Sequence, residues 1–123
     1  DVLLPAQTRA DFCSLAPHRT YEFHAAGEQR TRVYLLRLGN AEFVGIQPEV
    51  SSSFGAAVRG ARFCPVLFAT LVNGGQKYLP APDAYEKITY EAMNSGFAAG
   101  SHERLLQTIL AALNAARQKG ELA

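Results

Sequence analysis

Residues 63–72 read Phe63-Cys64-Pro65-Val66-Leu67-Phe68-Ala69-Thr70-Leu71-Val72, and this stretch decides the fold. Phe63, Val66, Leu67, Phe68, Leu71 and Val72 make it nearly continuous in apolar side chains, without a polar alternation. Such a run predicts a strand covered on both faces. It is far short of the roughly 20 residues a membrane-spanning helix needs. A doubly covered strand needs helices on either side, so the expected class is α/β, with α+β as the alternative. The expected architecture is a mixed sheet with helices packed on it.

Upstream, Arg19–Ala26 alternates, with Tyr21 and Phe23 facing one way and Glu22 and His24 the other, as a half-buried strand does. Gly27-Glu28-Gln29 reads as a turn. Arg32–Leu38 reads as a second strand, and Gly39-Asn40 as a tight turn whose residues tolerate positive φ. Glu42–Ile46 reads as a third strand, so the three predict an antiparallel meander. Pro48 ends it, and Glu49–Arg59 has the spacing of a helix, with Gly60 as its stop. The first 18 residues, with breakers at Pro5 and Pro17, read as an irregular arm, and residues 19–123 as one domain.

Downstream, Asn73-Gly74-Gly75 reads as a sharp loop and Lys77–Leu79 as a short strand. Pro82–Thr89 predicts a short helix, with Pro82 in its first turn and Asp83 favourable near its N-terminus. Asn94–Gly100 reads as a loop. Ser101 is the expected N-cap of a long C-terminal helix, on which Leu105, Leu106, Ile109, Leu110 and Leu113 form one apolar stripe. Gly120 is its expected stop.

Composition bounds the function. The 123 residues carry 12 basic and 11 acidic side chains, a net charge of +1, which argues against nucleic acid as a partner. Arg30, Arg32 and Arg37 read as a solvated strand face. Cys13 and Cys64 have no CxxC partner and read as two small buried hydrophobes, a disulfide between them being the alternative. His18, His24 and His102 form no HExxH or HxH pair, so no self-contained zinc site is visible. No GxSxG, P-loop or GxGxxG is present, and Gly74-Gly75 reads as a turn.

Glu49 follows Pro48 where a strand gives way to the next element. A carboxylate there projects towards the crevice in which open α/β sheets place ligands. The plainer reading is a glutamate offsetting a helix dipole. Tyr78 follows the apolar run by one Gly-rich loop. If the two strands are neighbours, Glu49 and Tyr78 emerge at one edge. Tyr85 and Tyr90 belong to the same aromatic stretch, where packing roles are common.

The chain from about Tyr34 to Leu113 resembles the C-terminal portion of the catalytic domain of neutral (alkaline, non-lysosomal) ceramidases and their bacterial relatives. The residues that carry this are Leu36-Arg37-Leu38-Gly39, Phe43-Val44-Gly45-Ile46, Pro48-Glu49 and Gly55. Leu71-Val72-Asn73-Gly74, Tyr78, Tyr85, Tyr90-Glu91 and Gly100-Ser101-His102 follow in the same order. The ordered set covers roughly two-thirds of the chain and is more specific than any one of its motifs.

The resemblance implies a zinc-dependent hydrolase of lipid amide bonds. It places Glu49 and Tyr78 as zinc ligands, and Asn73, Tyr85 and Tyr90 around the metal or substrate. A carboxylate and a phenolate are hard oxygen donors that zinc accepts. The family's Pro-Gly-Glu turn stands here as Gln47-Pro48-Glu49. The family's two zinc histidines and its catalytic serine segment belong to an upstream part, and His18 and His24 are not in their context. The expected partner is therefore that missing upstream half, or another copy of the chain, and the chain alone is not expected to be active. A secreted or periplasmic location is the family's tendency. The alternative reading is a non-catalytic binding or structural domain that keeps the fold.

Overall fold

The computed structural model describes residues 1–9, 23–87 and 89–118. It is an α/β structure with mixed strand pairing and a long C-terminal helix. Among the described residues the elements follow in the order β1 (Val2–Arg9), β2 (Phe23–Thr31), β3 (Val33–Leu38), β4 (Ala41–Ile46), β5 (Glu49–Val50), α1 (Ser52–Gly60), β6 (Val66–Ala69), β7 (Tyr78–Leu79), α2 (Pro82–Lys87), α3 (Tyr90–Met93) and α4 (Ser101–Gln118).

The N-terminal residues read as irregular are in part a strand. β1 pairs antiparallel with β2 along nearly its whole length. β1 is held on its other side by residues 96–98: the Gln7 amide donates to the Gly96 carbonyl at 3.0 Å, and the Ala98 amide to that of Pro5 at 2.8 Å. The expected turn at Gly27 is instead a bulge inside β2. Pro5 pairs with Glu28 and Gln7 with Ala25, so Ala26 and Gly27 together oppose Ala6. Gly27 takes φ +75, a conformation open to glycine and costly to other residues. A local Gly signal cannot tell a turn from a bulge, because both need a positive φ. The expected strand over Arg19–Ala26 is seen from Phe23 on, and its earlier residues lie outside the described ones.

The expected meander is also corrected. β2 belongs to a two-stranded sheet with β1, and only β3 and β4 pair as foreseen, around a turn with Gly39 at φ +60. The third member of their sheet is β6, parallel to β4, in the order β3-β4-β6. One face of this sheet carries Leu35, Val44 and Phe68 in register, together with Val33 and Ile46. Val44 and Ile46 are buried there with Phe54 and Val58 of α1 and Leu105, Ile109 and Leu113 of α4. This is the periodic stripe read from α4, and its burial fixes the helix between β1 and α1.

The opposite face carries Leu36, Phe43 and Leu67 in one row, flanked by Leu38 beside Ala41 and by Tyr34 beside Gly45 and Ala69. Leu36, Leu38 and Leu67 are 56, 59 and 59% exposed. The strand expected to be covered on both faces is thus a short edge strand with one face open. Phe63, at 98% exposure, lies outside it. An apolar run does not say whether both faces are covered, and the described residues cover one of them.

Two helix starts differ from expectation. Glu49–Val50 is the short strand β5, and α1 begins after Ser51, whose carbonyl receives the Phe54 amide at 3.1 Å. The single helix expected over Pro82–Thr89 is α2, followed by α3 with Thr89 as its N-cap, accepting from the Ala92 amide at 3.3 Å. Ser101 is the first residue of α4 rather than its cap. Its hydroxyl donates to the Pro5 carbonyl at 2.9 Å, tying helix to ribbon. The expected stop at Gly120 lies outside the described residues. Among the described residues, no helix is long and apolar enough to cross a membrane.

Candidate functional site

β5 and β7 continue the parallel course of β4 and β6 beyond a break. The Val72 amide donates to the Ile46 carbonyl at 3.0 Å, and the Glu49 amide to that of Lys77 at 2.7 Å. In the register that results, Glu49 stands beside Tyr78 and Val50 beside Leu79. The two residues read as metal ligands therefore sit as neighbours near the C-terminal ends of two parallel strands. Side chains paired across strands in this way point to the same face.

The turn that delivers Glu49 is built firmly. Pro48 is buried. The Gln47 side chain accepts from the Arg32 amide at 3.0 Å and donates to the Asn73 carbonyl at 3.2 Å. Asn73 thus acts through its backbone, as an anchor of this turn, and its φ of +53 suits an Asn better than a bulky residue. The loop also holds Leu71 at φ +58 and Lys77 at φ +56. Such left-handed positions cost of order 1–3 kcal/mol each for non-glycine residues and persist where surrounding structure enforces them. The pairing of Glu49 with Lys77 and Tyr78 is one such constraint.

Glu49 and Tyr78 line a cleft of about 400 Å³. Its apolar wall comes from Val50, Leu79, Pro80, Ala81 and Ala84. Its polar lining adds Ser51, Thr89, Asp83, Lys87 and Glu91. Sequence reasoning assigned none of these polar residues to a site. Their signal was absent because α2 and α3 fold back over the ends of β5 and β7 only in three dimensions. Lys87 is tied to Asp83 one helical turn away at 3.1 Å, with both side chains in solvent. The Tyr78 phenol is held above its ordinary pKa, first by desolvation and then by the negative charges of Glu49 and Glu91, with Tyr90 adding to them.

Tyr90 packs edge-on against Tyr78 with ring centroids 5.8 Å apart, and is itself 62% exposed at the rim. Tyr85 lies elsewhere: it donates its hydroxyl to the Phe97 carbonyl and packs edge-on against Phe23. Burial pushes its phenol up to about 12. Of the five residues read as site members, Glu49, Tyr78 and Tyr90 come together, and Asn73 and Tyr85 hold surrounding structure.

Neither of the described histidines, His24 and His102, lines the cleft. His24 is on exposed β2. His102 packs edge-on against Phe54 at 5.0 Å, and burial lowers its pKa. His18 and Cys13 lie outside the described residues. Cys64 is a half-buried free thiol beside Glu42, and burial pushes its pKa up. Among the described residues no cluster of three or more His, Cys, Asp or Glu side chains is arranged to hold a metal ion. Glu49 and Tyr78 are two oxygen-bearing side chains in register on one face, and stable zinc sites usually take three or four protein ligands.

No protein-family model, curated protein or solved structure matches the chain.

Proposed function

We propose that this chain is the C-terminal portion of a ceramidase-like, zinc-dependent amide hydrolase, and that Glu49 and Tyr78 supply two oxygen ligands to a metal site completed by another polypeptide segment. The observation that carries this is the register of Glu49 with Tyr78 on adjacent parallel strands, at the wall of a cleft with an apolar lining. The replacement of Gly by Pro48 in the turn leaves Glu49 in that cleft. The apolar wall suits the hydrocarbon of a lipid amide. Tyr90, edge-on to Tyr78 and largely exposed, is placed to hold the phenol ring and meet substrate. When bound, the zinc ion would activate a water and polarise the amide carbonyl. The chain's own residues orient the donors, and the wall restricts water on the apolar side.

The second reading is a binding or structural domain without chemistry. It is favoured by the donor count: Glu49 and Tyr78 alone hold zinc weakly.

The test is intact-mass spectrometry with zinc analysis on protein purified from the cells that make it, for the natural chain and for Glu49→Gln. About one zinc per complex, lost in Glu49→Gln while the far-ultraviolet circular dichroism is unchanged, is the expected result. A lone chain without metal, or zinc content indifferent to the substitution, removes the hydrolase reading.

A further inference from the structure

The cleft beside β5 and β7 carries an unbalanced charge. Glu49, Asp83 and Glu91 line it with a single cation, Lys87, and Lys87 is already tied to Asp83 at 3.1 Å. Among the described residues, the Glu49 and Glu91 carboxylates form no ion pair. The negative charges of both reach the Tyr78 phenol, so they converge on one ring. The other hydroxyls of the lining are engaged: Thr89 accepts from the Ala92 amide at 3.3 Å, and Ser51 pairs with Ser53 at 2.6 Å. Apart from the Tyr78 phenol, the unused polar capacity of the lining side chains is therefore anionic.

That lining selects among ligands. An anion would be set against two unpaired carboxylates, and like charges brought together repel. A carboxylate accepts hydrogen bonds and donates none, so a ligand must bring the donors, and a positively charged donor is also attracted by both carboxylates. Tyrosine ring faces attract cations within about 6 Å. Tyr78, beside Glu49 in the strand register, forms a 73° aromatic corner with Tyr90. A bare metal ion needs a cluster of donors that the described residues do not form, and it would leave unused the apolar wall of Val50, Leu79, Pro80 and Ala84. The cleft volume of about 400 Å³ lies within the range of small-molecule sites, about 300–1,000 Å³.

We propose that this cleft binds a small organic ammonium ion, with its charged head between Glu49 and Glu91 against the Tyr78 ring and its hydrocarbon body along Leu79, Pro80 and Ala84. The assignment follows from the charge and shape of the cleft and needs no metal, so it does not rest on the hydrolase reading. Glu49 and Glu91 set the preference for a cation. The apolar wall sets the preference for a hydrocarbon body over a bare ammonium ion.

The test is a nitrogen-15 NMR titration of the full chain at pH 7, in a chelating buffer that keeps it free of metal. Three probes share one hydrocarbon chain: hexylammonium, the uncharged hexan-1-ol and the anionic hexanoate. The expected result is a saturable shift of the Val50, Leu79 and Ala84 amides by hexylammonium, weakened by added salt. Hexan-1-ol should bind at least tenfold more weakly, and hexanoate should leave these amides unmoved. Glu49→Gln with Glu91→Gln should lower the hexylammonium affinity at least tenfold, with the amide spectrum away from the cleft unchanged, since both side chains are exposed. Equal or tighter binding of hexan-1-ol or hexanoate overturns the proposal. So do shifts that map away from the cleft, an affinity indifferent to the double substitution, and the absence of any saturable shift. Because the titration is free of metal, neither outcome depends on whether zinc binds at Glu49 and Tyr78.

Discussion

The Arg62 guanidinium holds both oxygens of the Glu42 carboxylate, at 2.7 and 2.8 Å, with the two side chains only 4 and 1% exposed. Glu42 is on the inner face of β4 and Arg62 in the turn between α1 and β6, and a further Arg62 nitrogen reaches the Asn114 side chain on α4. The pair thus joins the sheet to the crossover and to the C-terminal helix. Removing one partner leaves a buried charge. Arg62→Met is expected to cost about 3–5 kcal/mol, and adding Glu42→Leu to recover most of it. Urea unfolding of the two single variants and the double variant checks this. A double variant no more stable than the worse single one contradicts it.

The same pair sets an acid limit. The hydrogen bond from Arg62 holds the Glu42 carboxyl below its ordinary value of 4.5, against the opposing effect of burial. A carboxyl with a depressed folded pKa stabilises fully above its unfolded pKa, and that contribution is lost as pH falls through the folded value. The natural chain should therefore lose stability below about pH 4.5, and the Glu42→Leu/Arg62→Met variant should show a smaller loss over that range. Thermal midpoints from pH 6 down to pH 3, taken in the same salt, decide it.

Tyr85 sets a limit at the alkaline end. Its phenol is pushed up to about 12 by burial, and its hydroxyl donates to the Phe97 carbonyl. The folded state keeps the proton while the unfolded chain loses it near pH 10, so this contribution is full below pH 10 and lost as pH rises towards 12. Tyr85→Phe is expected to cost about 0.5–1.5 kcal/mol at pH 8, from the one lost hydrogen bond, since the Ser95 hydroxyl still donates to the Phe97 carbonyl at 3.2 Å, and to flatten the loss between pH 9 and 11. A variant with an unchanged alkaline slope would show that another group sets it.

Two glycines predict opposite outcomes. A side chain at Gly45 meets the stiff, β-branched Val72 at 3.0 Å, so Gly45→Ala must push the loop that leads to Tyr78. A side chain at Gly96 meets only the end of the flexible Gln29, at 2.8 Å. Gly45→Ala is expected to cost about 1 kcal/mol or more, and Gly96→Ala to be near neutral. Chemical denaturation ranks them, and equal costs would contradict the close approach of Val72 to Gly45.

Lys77 is exposed, with φ at +56, and its backbone carbonyl is its contribution to the site. Lys77→Gly relieves the left-handed strain, set against glycine's greater chain entropy, for a net gain of about 0.5–1 kcal/mol. A loss of stability on this substitution would mean that the lysine side chain itself supports the loop.

The sequence by itself determined the local elements whose side-chain period or turn chemistry is decisive. The α4 stripe, the β3–β4 hairpin around Gly39 and the strand character of residues 66–69 were all legible, because burial of one face imposes a fixed spacing. The α/β class followed from their order. Ordered motifs also singled out Glu49 and Tyr78 as candidates. Tertiary structure alone decided that β1 is a strand, since a stretch containing Pro5 gains its partners from β2 and residues 96–98. It also decided that Gly27 is a bulge, and that the apolar run of β6 is an edge. The register of Glu49 with Tyr78 was decided there too. Pairing between segments distant in the chain depends on which surfaces meet, and spacing within one segment carries no record of that.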